Sequence, residues 1–287
     1  MRCLVVGIGN LGGPLAQLLA EAGHDVYGYD LRDDIEMPPG VLRVRKGVPD
    51  PDVPAEMYFY VVPTPSLEDG TYDTSMLETA VDRWFDLSAI HIVVSTVLPG
   101  DCDRIFASVG CDRYAYSPEF IRLGHVREDM MNPDFVLIGC DSMGISQAVG
   151  DKVEEVLRSV VALGGGTYVS PSVPFVRLSV VEAELAKIAL NTYLCMKLSA
   201  ANLIGEMAEK LGADGVKVCG AVGLDRRINN NYFRPGGAYG GPCLPRDTMA
   251  FNALAQRLGT TAELATAAEQ INLRQPQPFP AEEGRGY

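Results

Sequence analysis

The chain opens on a short apolar run, RCLVV (2–6), that passes straight into Gly7-Ile8-Gly9-Asn10-Leu11-Gly12. Apolar residues then recur with helical spacing from Pro14 to Ala22, Gly23 stops them, and HDVYGYD rises to an acid at Asp30. Strand, glycine turn, helix, strand and acid, in that order, are the parts of a unit that binds a dinucleotide. Gly7 suits the tight turn, Gly9 lets a pyrophosphate approach the backbone, and Gly12 allows close packing of helix on strand, with Asn10 and Leu11 completing the loop. Asp30 lies 23 residues after Gly7, where a carboxylate takes ribose hydroxyls and repels a 2′-phosphate, so the expected cofactor is NAD rather than NADP. Arg32 is expected over the adenine or in solvent. The plainer alternative is a structural glycine turn.

Strand-like and helix-like stretches keep alternating. MYFYVVPTP (57–65) is an apolar strand stopped by prolines, LEDGTYDTSM a polar loop, and MLETAVDRWFDL an amphipathic helix. AIHIVVSTVLPG, DRYAYSPEF and FVLIGC read as further strands, and VEEVLRSVVALGG as a helix. This is the signature of an α/β, Rossmann-type, doubly wound and mostly parallel sheet. Ligands of such sheets meet the loops after the strands, where Pro63, Thr64, Thr96 and Glu119 fall. Any one of them alone reads equally well as a loop cap.

A Gly/Ser/Pro-rich connector, GGGTYVSPSVP (164–174), suggests a domain boundary. The expected layout is a dinucleotide-binding domain over 1–170, a small all-α domain built on one long helix over 175–272, and a tail over 273–287. The long helix, 179–211, would approach about 50 Å at 1.5 Å per residue. Its apolar character calls for packing on both sides, so it is expected to act as a spine and to pair with the same helix of a second copy in a homodimer.

Composition narrows the function classes. A net charge of −13 without a Lys/Arg cluster argues against a nucleic-acid partner. No apolar run is long enough to span a membrane, and the N-terminus does not read as a signal peptide. The seven cysteines are odd in number, scattered and without a CxxC, which fits free thiols in a reducing cytoplasm and no metal site. The three histidines are placed in loops or at element edges, which leaves little room for His-based catalysis.

Two clusters carry candidate chemistry. Cys243, in YGGPCLPRD, lies just before a helix start marked by Pro245, and Asp247 falls in that helix's first turn. A thiol among unpaired helix N–H groups is favoured as thiolate, hence as nucleophile, although a small buried Cys in a glycine-rich turn fits the same residues. Glu184, Lys187 and Asn191 share one face of the long helix, where a Lys and an Asn need partners or a ligand. A snorkelling Lys at the rim is the alternative.

The succession GxGxxG, VPTP, STVLPG, SPEFIRLG, AELAKIALNTYL and RPGGAYGGPCLPRD resembles the UDP-glucose/GDP-mannose dehydrogenase family over residues 1 to about 272. The resemblance implies oxidation of a sugar primary alcohol to a carboxylate with two NAD and a cysteine nucleophile. It implies that Cys243 is the nucleophile, Lys187 and Asn191 the polar pair facing it, and Asp247 the motif aspartate. Glu119 matches the glutamate tied to thioester hydrolysis, and Thr96 the threonine near the reacting centre. Chemically, Lys187 or a water held by Asp247 serves as base, and Lys187 and Asn191 stabilise the oxyanion.

Ser117 and Arg246 stand where Asn and Lys are commoner. Family members usually continue into a third domain that holds the nucleoside diphosphate. The expectation is either a piece of a longer chain or a short member with a smaller substrate, such as a nucleoside monophosphate or sugar phosphate. Two other readings remain: a two-electron hydroxyacid dehydrogenase with no use for Cys243, and a non-catalytic NAD-binding dimer.

Overall fold

The apolar runs of the N-terminal half become strands because they are hidden on both faces, as a parallel sheet covered by helices requires. The computed structural model of the chain describes residues 1–44, 55–122, 124–140, 147–165 and 173–276. Its elements run β1 Arg2–Val6, α1 Gly12–Glu21, β2 Asp25–Tyr29, β3 Val41–Arg43, β4 Met57–Tyr60, α2 Ser75–Trp84, β5 Ile90–Val93 and α3 Asp101–Ser108. They continue with β6 Tyr114–Tyr116, α4 Val126–Met131, β7 Val136–Gly139, α5 Gln147–Ala162 and β8 Phe175–Leu178. The last four are helices: α6 Val180–Lys210, α7 Gly215–Val222, α8 Leu244–Arg257 and α9 Glu263–Leu273.

The strands form one sheet in the order β3-β2-β1-β4-β5-β6-β7-β8. Every pairing is parallel except β6 with β7, which meet antiparallel at Tyr116 and Gly139. The expected Rossmann-type sheet is therefore present, and the strand order reverses at β1/β4, the place where such sheets bind ligands. Met57, Phe59, Tyr60, Ile92, Val93 and Leu4 are the centre of its core.

Several elements were not legible in the sequence. β3 and β8 are short and partly exposed at the two edges of the sheet, so they lack the apolar run that marks β4 or β5. Helix α3 is eight residues long and begins at a left-handed Gly100, with its N-terminal N–H groups held from far along the chain. Helix α4 has six residues. Placing all three histidines in loops or at edges is corrected at His91, which lies inside β5 and is fully buried. It stacks near Tyr58 and Phe85 and donates from Nε2 to the Asp86 carbonyl, which leaves Nδ1 to accept from the Tyr60 hydroxyl at 2.9 Å. Burial pulls its pKa down, so it is a neutral core residue.

Contacts group the chain into two compact units: Met1–Pro65 with Asp73–Lys187, and Ser66–Tyr72 with the described residues from Ile188 onward. The division falls inside α6; the expected connector lies at 164–174, of which 166–172 are outside the described residues. Residues 277–287 of the expected tail are also outside them. Helix α6 ends as its sequence indicates: Gly212 takes φ 67° and the Ala213 N–H reaches back to the Ala208 carbonyl at 2.8 Å. In the second unit Asp214 caps α7 by accepting from the N–H groups of Val216 and Lys217.

Candidate active site

In the first unit, the glycine loop is constrained by its own backbone. Gly7 sits at φ 98°, and a Cβ there would lie 2.3 Å from the Val61 carbonyl oxygen. A Cβ at Gly12 would lie 1.9 Å from the Gly7 oxygen, so α1 approaches β1 as closely as only glycine permits. At Gly9, by contrast, a Cβ would meet nothing nearer than an Arg32 nitrogen at 4.0 Å. That open ledge beside the α1 N-terminus, where Leu11 stands at the cap without a side-chain bond, fits a pyrophosphate.

Asp30 closes the far side of the loop. Its Oδ2 accepts from the Ile8 N–H at 2.9 Å, and its Oδ1 accepts from the Arg32 backbone N–H at 2.9 Å and Nε at 3.0 Å. Burial opposes ionisation, but the hydrogen bonds from Arg32 and Ile8 together outweigh it and hold the carboxyl below its ordinary range. Arg32 thus lies on Asp30, with its side chain 58% exposed.

Around the strand ends, Thr64 is buried and donates its hydroxyl to the Thr96 carbonyl at 2.7 Å, bracing the loop after β4 against the loop after β5. Pro63 is exposed and Thr96 half-buried. After β6, Glu119 is half-buried, and burial pushes its carboxyl up to about 7 against the opposing charge of Lys187. Lys187 donates from Nζ to the Glu119 backbone carbonyl at 2.6 Å and stands 4.7 Å from the centre of the Phe120 ring. Glu184, one turn earlier on α6, is fully buried and accepts from the N–H groups of Gly100 at 2.6 Å and Cys102 at 2.9 Å. It caps α3 from 82 or 84 residues away and is therefore a structural member of the face that also carries Lys187.

The second unit holds the other candidates. Cys243 occupies the N-cap of α8 and is the exposed one of the seven cysteines, with Pro245 inside the first turn as expected. Asp247, 0% exposed in that first turn, is gripped on both oxygens. Its Oδ2 accepts from Asn191 Nδ2 at 2.6 Å, and its Oδ1 from the Tyr72 hydroxyl at 2.7 Å and Arg246 Nε at 3.2 Å. Asn191 and Asp247 are thus brought together, while Lys187, one turn back on α6, serves a different partner.

The glycine-rich approach to Cys243 is also held. Asn202 accepts from the Gly236 N–H and donates to the Gly237 carbonyl, both at 2.9 Å. Asn272 does the same for the Tyr239 N–H at 2.7 Å and carbonyl at 3.1 Å. Sequence reasoning missed Tyr72, Asn202 and Asn272. Asn202 continues the helical face of Glu184, Lys187 and Asn191 in steps of three and four through Cys195 and Ser199, a signal that was available. Tyr72 had none. Among the described residues there is no cluster of three or more His, Cys, Asp or Glu able to hold a metal ion, and no helix long and apolar enough to cross a membrane.

A mostly parallel doubly wound sheet, a glycine ledge at the start of α1 and an acid after β2 define a dinucleotide-binding fold of the NAD type. The model of the UDP-glucose/GDP-mannose dehydrogenase family's NAD-binding domain matches residues 38–160, and that of its central domain matches 181–274. The chain belongs to this family. It is 29% identical over 314 residues to UDP-glucose 6-dehydrogenase AglM of Haloferax volcanii, covering 96% of this chain and 70% of that protein. It is 30% identical over 304 residues to the putative UDP-glucose 6-dehydrogenase YtcA of Bacillus subtilis, covering 95% and 67%. Among solved structures, a UDP-glucose dehydrogenase from Pyrobaculum islandicum superposes with a TM-score of 0.82 at 28% identity, covering 95% of this chain and 68% of that one. The chain spans about half the length of the Rickettsia relatives it also matches.

Proposed function

We propose that the protein oxidises the primary alcohol of a nucleotide-sugar to a carboxylate in two steps through a covalent adduct on Cys243. The observation that carries this reading is the exposed thiol at the N-cap of α8, heading the turn in which Asp247 is clamped by Asn191. NAD, when bound, takes up the hydride of each oxidation, two equivalents per substrate. The residues that would hold it are Gly7, Gly9, Asn10, Leu11, Gly12 and Asp30, with Arg32, Pro63, Thr64 and Thr96 bordering them.

Lys187, or a water held by Asp247, removes the alcohol proton in the first step. The Cys243 sulfur then adds to the aldehyde carbon: a C–S bond forms and the carbonyl π pair moves to oxygen, where the N–H donors of Lys187 and Asn191 stabilise it. Collapse of this thiohemiacetal with loss of hydride leaves a thioester. Water adds to it, and the C–S bond breaks to return the thiolate and release the carboxylate. Glu119 suits the activation of that water, because a carboxyl titrating at about 7 is poised between its two states near neutral pH. The balance is one alcohol, two NAD⁺ and one water giving one carboxylate, two NADH and three protons.

The relatives' names support a nucleotide-sugar substrate; a smaller phosphorylated alcohol is the second member of the same class. Val181, Leu185, Tyr193, Leu203 and Met207 leave an exposed apolar seam along α6, which supports pairing of that helix in a homodimer. Seven scattered cysteines without a CxxC support a reducing, cytoplasmic setting.

The test is NADH formed per substrate consumed across UDP-glucose, GDP-mannose, nucleoside monophosphates and sugar phosphates. Two NADH, with Cys243→Ala stalling before the carboxylate, is the expected result. One NADH, indifferent to Cys243→Ala, would sink the covalent route in favour of a two-electron hydroxyacid dehydrogenase. NAD binding without turnover would favour a non-catalytic dimer.

A further inference from the structure

Between β4 and α2, within the stretch matched by the NAD-binding domain model, the chain makes a small hairpin whose residues Ser66–Tyr72 group with the helical unit. Ser66 and Tyr72 pair antiparallel, and the Leu67 N–H bonds the Thr71 carbonyl at 2.8 Å. Gly70, at φ 84°, lies against α8: a Cβ there would sit 3.2 Å from the Met249 oxygen and 3.4 Å from the Ala253 Cβ. The hairpin thus delivers Tyr72, which is buried, to the first turn of α8.

There the Tyr72 hydroxyl donates to Asp247 Oδ1 at 2.7 Å, while the Arg246 guanidinium lies 4.9 Å from the centre of the Tyr72 ring. A carboxylate only accepts, so the Tyr72 proton points at Asp247. With Oδ1 taken by Tyr72 and Arg246, Oδ2 is left facing the Asn191 amide. One Nδ2 hydrogen of Asn191 is then committed, which sets the amide plane and the direction of its second N–H. The Asp247 N–H also bonds the Cys243 carbonyl at 2.9 Å, so clamping Asp247 steadies the turn headed by the thiol.

We propose that Tyr72 is a positioning residue of the active site, acting through Asp247 to orient the Asn191 amide and to hold the turn that presents Cys243. This rests on the dehydrogenase reading above. It gives the hairpin a purpose that its place in the NAD-binding sequence does not suggest: a strap from one stretch of the chain fixing the reactive turn of another.

Tyr72→Phe keeps the ring under Arg246 and removes only the hydroxyl. In the full chain, kcat is expected to fall by about tenfold with KM changed by less than about threefold, as for loss of one hydrogen bond to a charged group. Because both residues work through Asp247, Tyr72→Phe added to Asn191→Ala should slow turnover less than about threefold further. Unchanged kcat, or effects that multiply in full, would overturn the proposal.

A second measurement needs no substrate and separates this inference from the proposed reaction. Iodoacetamide alkylation of Cys243, the exposed thiol, should slow by about threefold or more in Tyr72→Phe at pH 7.5, since Asp247's charge beside the helix N-terminus then has one donor fewer. An unchanged alkylation rate, or a lowered melting temperature with alkylation unaffected, would reduce Tyr72 to a packing residue. Absence of turnover by the parent protein would count against the reaction alone, and alkylation would still decide Tyr72.

Discussion

The glycine loop after β1 and the turn that carries Cys243 are built in opposite ways. At the loop, the constraint is mainly steric and set by backbone, Gly12 against the Gly7 carbonyl and Gly7 against the Val61 carbonyl, with the Asp30 carboxylate on the Ile8 N–H 22 residues away as a side-chain addition. At the Cys243 turn it is side chain against side chain among strangers, with Asn191 reaching Asp247 across 56 residues and Tyr72 across 175. A loop made by local sterics tolerates almost no change in residue size and few partners elsewhere affect it. A turn made by distant side chains is adjustable at many positions, each able to weaken it.

The largest effect should come from breaking the distant cluster at its centre. Asp247→Ala leaves the Tyr72 hydroxyl, the Asn191 amide and the Arg246 guanidinium without their shared acceptor, and unfolding free energy should drop by about 3–5 kcal/mol in denaturant titration. A loss under about 1 kcal/mol would mean the cluster is held by packing instead. Gly12→Ala comes next: its Cβ meets backbone, which has little room to give, so NAD binding by calorimetry should vanish with about 3 kcal/mol of stability. Retained NAD affinity would contradict the steric account of the loop.

Glu184 sharpens the comparison, because it is a long-range contact within the first unit. Burial raises its carboxyl from an ordinary 4.5 to about 7, outweighing the two backbone N–H groups it accepts. The proton is therefore held more tightly in the folded state. The resulting stabilisation is complete below pH 4.5 and is lost as pH rises through about 7. Glu184→Gln should flatten the stability change between pH 5 and pH 8 by on the order of 2 kcal/mol, with Glu119 contributing in the same direction and the lowered His24 and His91 in the opposite one. An identical slope in the variant would move the effect elsewhere. The smallest change expected is at Asn272→Ala, about 1 kcal/mol, read together with faster amide hydrogen exchange at Tyr239. Unaltered exchange there would show that the glycine-rich loop keeps its shape without the bridge.

Much of this was legible beforehand. The β1–α1–β2 unit, a long helix expected over 179–211 and observed as α6 over 180–210, and a helix start just after Cys243 followed from apolar spacing, glycine stops and a proline in the first turn. The helical face of Lys187 and Asn191 followed from periodicity alone. What escaped had a physical reason. β8 and β3 are edge strands with no need of a fully apolar run, and α3 is capped by a glutamate from another element. His91 looked like an edge residue, yet its two nitrogens are satisfied inside the core by Tyr60 and Asp86.

By itself, then, the sequence determined the features that depend on a residue's own backbone and its nearest neighbours along the chain: the glycine turn, the acid after β2, the long helix and the thiol at a helix start. Glycine's freedom and helical periodicity are properties of short segments, so they survive translation from letters to structure. Only the tertiary structure decided that Lys187 rests on the Glu119 carbonyl, that Glu184 caps α3, and that Tyr72 grips Asp247. A buried donor must find an acceptor, but its own stretch of chain does not say which one, because that partner is chosen by how the whole chain packs.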